Sequence, residues 1–154
     1  MAGWDDGLPS ERGWDELNLF VARARQRLET VLWRTAGLGL PEFEALENTG
    51  RHAGKLRITD LARAIGLSEP GASRLVQRLV DQGLLIRCPC ETDRRVTYAA
   101  LTPRGEEVWH KAREAYLKTV RDVYGARLTG EEKACVADLF GRLLGYDVPQ
   151  VPLA

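Results

Sequence analysis

The segment Cys88–Arg95, CPCETDRR, sets two thiols one residue apart beside an aspartate and two adjacent arginines. Each pair could do chemistry. Thiols at that spacing could take a metal or an oxidant. A zinc site wants about four ligands, commonly at CxxC or HxxxH spacing. Here Cys135 lies far along the chain, and His52 and His110 stand at no ligand spacing to each other or to a cysteine. No metal is expected. Arg87, Arg94 and Arg95 could favour a thiolate at Cys88 or Cys90, which keeps a thiol redox sensor as an alternative. The plainer expectation is two small hairpin residues, with Cys135 in a core. The arginines offer other chemistry. Guanidinium groups on a turn suit phosphates and narrow minor grooves, where the potential is most negative. Asp93 fits such a tip if it pairs with Arg95 and holds the turn.

A second polar group lies just upstream. Ser73, Arg74, Gln77 and Arg78 fall on one helical stripe at i,i+4 spacing. Arg can bond a guanine edge bidentately, Gln can bond an adenine edge, and each of the four can bond phosphate. Sequence motifs for catalysis are missing. The chain has no GxSxG, P-loop or HExxH and no glycine-rich dinucleotide turn after a strand, so neither an enzyme nor a cofactor is expected.

The elements that would position these groups follow from periodicity. Leu17, Phe20, Val21, Ala24, Leu28, Val31 and Leu32 make one face of a long helix. GLGLPEF ends it, and Pro41 suits the first turn of a shorter helix through Leu46. NTGRHAGK reads as a loop. Thr59 caps the next helix, which Gly66 stops in a left-handed conformation. Ser68 caps another, with Ala72, Leu75, Val76 and Leu79 inside, and Gly83 ends it. Two short helices across GLS make a helix-turn-helix. LLIRCPC and VTYAAL then read as a two-stranded hairpin around ETDRR, and a helix-turn-helix with such a hairpin is a winged helix. Thr102 and Pro103 open a helix of roughly six turns through Val108, Ala112, Ala115, Thr119 and Val123. Thr129 caps a last helix that buries Val136, Leu139, Phe140 and Leu143.

The totals agree. The chain has 154 residues and no net charge. Lys/Arg against Asp/Glu run five to nine over residues 1–50, nine to five over 51–95 and eight to eight over 96–154. The basic island covers the helix-turn-helix and hairpin, as a phosphate-binding surface would. No apolar run approaches a membrane span and no secretory signal opens the chain, so a cytoplasmic protein is expected.

The stretch RITDLARAIGLSEPGASRLVQRLVDQGLLIRCPCETDRRVTYAALTPRGEEVW resembles the MarR family of bacterial transcription regulators. The likeness is densest from Leu56 to Val108, and the order of flanking helices extends it over nearly the whole chain. It implies a mainly α (α+β) fold: one domain over 1–154, with dimerisation helices at 10–37 and 103–146. Between them lies a winged part at 41–101, its helix-turn-helix at 59–82 and its wing at 84–101. It implies a homodimer on a pseudo-palindromic operator in double-stranded DNA, often as a repressor, released by a small, often aromatic effector. Ser68, Ser73, Arg74, Gln77 and Arg78 fall on the family's recognition helix, 68–82. Asp93 and Arg95 match its wing pair, and Arg94 sits at the tip. Trp14, Trp33, Phe43, Arg51, His52 and Tyr116 are candidate walls of the effector pocket. Pro70 and Gly71 set the first turn apart from the family's plainer start. The peroxide-sensing branch keeps its cysteine near the N-terminus, whereas the first cysteine here is Cys88. A winged-helix module for protein contact is the other alternative; the arginine stripe favours DNA.

Overall fold

The computed structural model describes residues 9–90, 92–93 and 95–145. They form two compact units that divide after Tyr116. The first contains α1 (Pro9–Ala36), α2 (Leu40–Arg51), β1 (Lys55–Arg57), α3 (Ile58–Ala64), α4 (Glu69–Asp81), β2 (Leu85–Pro89) and β3 (Thr97–Leu101). Helix α5 (Pro103–Val123) begins in it and runs on into the second unit, which adds a 3-10 turn at Gly125–Arg127 and α6 (Gly130–Leu144).

Local signals set the helix ends. Ser68 Oγ accepts from the Gly71 amide at 3.2 Å and starts α4. Gly66 and Gly83, at φ +68° and +70°, end α3 and α4 in the left-handed region. Each helix closes with paired 6→1 and 5→2 bonds: Leu67 N to Ala62 O with Gly66 N to Arg63 O, and Leu84 N to Leu79 O with Gly83 N to Val80 O. Thr102 Oγ1 accepts from Gly105 N at 2.9 Å to open α5. Thr129 and Glu132 cap each other's amides at α6. Thr59 does not cap α3. Strand pairing of Arg57 with Tyr98 keeps the chain extended up to Arg57, and the helix starts at the next residue with no side-chain cap.

Two regions differ from the sequence reading for non-local reasons. Residues 48–51 are helix, not loop, so α2 runs to Arg51. Asn48 and Thr49 bond back to the carbonyls of Glu44 and Ala45. Gly50 lies under Trp109, where a Cβ would sit 2.6 Å from the ring; its smallness serves packing. The chain then turns through Ala53 and Gly54, both at positive φ, into β1. This strand adds a third member to the expected two-stranded wing, giving an antiparallel sheet in the order β1-β3-β2.

The core of the first unit joins Leu32, Leu38, Phe43, Leu46, Leu61, Leu75, Val76, Leu79, Leu85, Ala99 and Ala112. The C-terminal end of α1 belongs to it. Farther up, Phe20 and Val21 are exposed, as are Trp14 and Trp33 at 64% and 67%. On α6, Leu139 and Leu143 are exposed at 44% and 70%, contrary to the burial expected from their spacing. Cys135 is exposed as well, not in a core. In a single chain these apolar faces lack the partner that periodicity presupposes.

The tightest junction lies where α5 begins. A Cβ on Gly105 would run into the Leu84 carbonyl, and Thr102 Oγ1 donates to Gly83 O at 2.7 Å. Gly105→Ala should lower stability by at least about 2 kcal/mol, because backbone blocks the added carbon. Gly13→Ala, in open space on α1, should instead raise it by up to about 1 kcal/mol. Thermal melts of the two variants check the contrast.

Candidate nucleic-acid interface and a cavity on α2

Helix α4 buries Ala72, Leu75, Val76 and Leu79 and turns Arg74, Gln77 and Arg78 outward. Three of the four polar groups on the stripe have partners within the chain. Ser73 accepts from Arg87 Nη2 of β2 at 3.0 Å. Gln77 Nε2 donates to Asp81 Oδ1 at 2.9 Å. Arg78 lies 3.9 Å from Glu42 at the start of α2. Arg74 has no ion pair or side-chain hydrogen bond among the described residues. It is the stripe's uncommitted cation. Ser68 is engaged as the cap.

At the wing, β2 and β3 pair from Leu85↔Leu101 to Pro89↔Thr97, so the hairpin closes over residues 90–96. Asp93 braces this turn, but through backbone: its Oδ1 accepts from the Arg95 amide at 2.9 Å. The guanidinium of Arg95 has no ion pair among the described residues. Val96 N returns to Asp93 O at 3.0 Å, and Cys90 N to Val96 O at 2.9 Å. Arg94 lies outside the described residues. Cys90 stands just past the end of β2, 3.3 Å from the Thr92 hydroxyl. Hydrogen bonding to Thr92, side chain and backbone, and to the Asp93 backbone holds its thiol below the ordinary range.

The first unit also holds a cavity of about 330 Å³. Helix α2 lines it with Phe43, Glu44, Glu47, Asn48 and Arg51, which recur at helical spacing on one face. Arg25, Ala64, Ile65 and Tyr116 complete the wall. The Phe43 and Tyr116 rings stack at 4.6 Å. Glu47 accepts from Trp109 Nε1 at 2.8 Å and pairs with Arg113 at 3.3 Å. Glu44 pairs with Arg25 at 3.6 Å. Burial nevertheless raises the Glu44 carboxyl above its ordinary range; Arg25 opposes the shift and Glu29 adds to it. Burial also raises Tyr116, reinforced by Glu44 and Glu47 and opposed by Arg25. The site thus pairs a flat aromatic wall with carboxylates, guanidiniums and a phenol.

Residues 36–96 match the sequence profile of the MarR family. The fold of AbsC, a MarR family transcriptional regulator from Streptomyces coelicolor, superposes with a TM-score of 0.83 at 26% identity, covering 94% of this chain and 96% of that one. The chain is thus similar to MarR family regulators, by profile over residues 36–96 and by fold over nearly its whole length. Sco3205 of the same organism, a MarR family regulator solved in complex with DNA, gives a TM-score of 0.85 at 23% identity, covering 99% and 97%. The organohalide sensing RdhR-CbdbA1625 regulator, solved in its 2,4-dichlorophenol bound form, gives 0.77 at 17%, covering 94% and 89%. No helix among the described residues is long and apolar enough to cross a membrane.

Of the six residues expected around a MarR pocket, the cavity gathers Phe43, Arg51 and Tyr116. His52 caps α2 and bonds the Asn48 carbonyl at 2.7 Å, while Trp14 and Trp33 lie exposed on α1. None of those three lines the cavity. Sequence reasoning missed Arg25, Glu44, Glu47 and Asn48. The last three share a helical face with Phe43 and Arg51, a signal hidden because residues 48–51 were read as loop.

The raised Glu44 sets a pH dependence. The folded state holds this proton more tightly than the unfolded state. Its contribution to stability is complete below the ordinary value of 4.5 and is lost as pH rises through the raised one. Glu44→Gln should remove that falling limb, as denaturant titrations across mildly acidic pH will show.

Proposed function

We propose that this chain is a MarR family regulator and acts as a homodimeric repressor. It binds a pseudo-palindromic duplex through α4 and the wing and is released by a small aromatic effector in the α2 cavity. The observation that carries the reading is the uncommitted Arg74 on the outward stripe of α4, beside a wing turn braced at Asp93. Phosphate and base edges accept hydrogen bonds from such donors. The relative Sco3205, solved with DNA, supports it. A protein-docking wing would have no use for this concentration of positive charge.

Two further observations support the remaining parts. The exposed Trp14, Phe20, Val21 and Trp33 of α1 and Leu139, Leu143 and Leu144 of α6 are more apolar surface than a soluble monomer ordinarily shows. A second copy of the chain would cover them. In the cavity, the Phe43–Tyr116 stack suits a flat ring, and Arg51 and the Tyr116 phenol suit its polar substituent. The dichlorophenol-bound relative supports that effector class.

Sedimentation should show a dimer at micromolar concentration, shifted toward monomer by Trp33→Asp with Leu143→Asp; a wild-type monomer would end the two-half-site reading. In gel shifts, Arg74→Ala should weaken binding and reduce the salt slope by about one unit per lost phosphate contact. Asp93→Ala removes a negative charge, so electrostatics alone would tighten binding. The brace predicts weaker binding, with Asp93→Asn close to wild type because its amide oxygen can still accept.

A further inference from the structure

Arg87 leaves its strand on the unexpected side. Residues directly opposite one another across strands share a face. Arg87 pairs with Ala99, and Ala99 with Leu56, so the three form one row across the sheet. Leu56 and Ala99 are buried in the core. The guanidinium departs from the open end of that row and reaches α4. Its Nη2 donates to the Ser73 carbonyl at 2.8 Å and to the Ser73 hydroxyl at 3.0 Å. Among the described residues these are the side-chain hydrogen bonds that join the wing strands to α4.

We propose that Arg87 is a positioning and specificity residue for DNA: it fixes the wing against the recognition helix and turns the Ser73 hydroxyl into an outward hydrogen-bond donor. The inference rests on the DNA-binding reading above. Arginine carries donors and no acceptor. By donating to Ser73 Oγ it takes up acceptor capacity of that oxygen, and the hydroxyl hydrogen is left to point elsewhere. With one of its two acceptor sites taken, the hydroxyl is biased toward a partner that accepts. Purine N7, guanine O6, thymine O4 and phosphate oxygens accept, whereas the amino groups of cytosine and adenine donate. Ser73 is thereby biased toward accepting edges over amino edges by a residue that need not touch DNA. The same two bonds hold the wing turn at one distance from α4. Groove and flank are then met together, without ordering the wing during binding.

The test begins with selection. Wild-type protein is offered a randomised duplex library of about 30 base pairs, enough for half-sites one helical turn apart. The selected duplex is the probe. Failure to select any duplex would overturn the DNA-binding reading and this inference with it. On that probe, Arg87→Met keeps the aliphatic stem and drops the donors, and Arg87→Lys keeps the charge without the fork. Arg87→Met should bind about tenfold more weakly, the size of a lost charge-assisted bond. At saturating protein its hydroxyl-radical footprint should lose protection at the flanks while keeping the half-site centres, and Arg87→Lys should not recover the flanks. If Arg87→Lys restores affinity and both variants keep the wild-type footprint, Arg87 is a phosphate contact alone and the proposal falls. Ser73→Ala suits the helix and provides an arm independent of Arg87 folding. Its reselected sites should lose preference at one position per half-site; an unchanged consensus would equally overturn the proposal.

Discussion

Everything in the winged unit hangs on the close approach of Gly105 to the Leu84 carbonyl. Leu84 lies between α4 and β2, and Gly105 is in the first turn of α5. With Thr102 bonded to both Gly83 and Leu84, the end of α4, the start of β2, the end of β3 and the start of α5 converge on a few backbone atoms. Convergence of this kind gives a charged stripe and a charged turn a common frame. Further along α5, Trp109 covers Gly50 and holds Glu47, and Tyr116 stacks on Phe43. The helix that meets the α4–β2 junction at one end therefore also forms a wall of the α2 cavity.

The outward stripe of α4 is less free than its composition suggests. Ser73, Gln77 and Arg78 already hold Arg87, Asp81 and Glu42. A nucleic acid would have to displace or share those partners, so part of each new bond only replaces an old one. The pair of exposed Arg78 and part-buried Glu42 is loose at 3.9 Å, whereas the Arg87 bonds reach a backbone carbonyl and are better placed to persist. Arg74, with nothing to give up among the described residues, gains most from a phosphate.

What could be read in the residues was what they decide locally. Ser68 and Thr129 cap, Gly66 and Gly83 close helices, and the apolar side of α4 is set by spacing alone. Gly50 was misread because a glycine says nothing of why it is small; the reason, the Trp109 ring, lies far along the chain. Strand β1 was missed because three residues carry too little pattern and form only by pairing with β3. Leu139 and Leu143 were assigned to a core on periodicity, which reports that a face is apolar and not what covers it. At the site, the residue types on α4 were legible, but their bonds to Arg87 and Glu42 depend on tertiary packing. The cavity was half legible, since its α2 face appears only once residues 48–51 are helical.

The brace at Asp93 has a consequence for how such a regulator changes over time. Because the carboxylate holds the amide of residue 95 and not its side chain, the turn imposes no side-chain requirement at that position beyond an N–H, which proline alone lacks. Position 95 can therefore drift among arginine, lysine or a neutral residue while the hairpin keeps its shape. The shape of the turn and the chemistry it displays are separable there, and a lineage could change the charge at the wing through one codon without first acquiring a compensating change elsewhere.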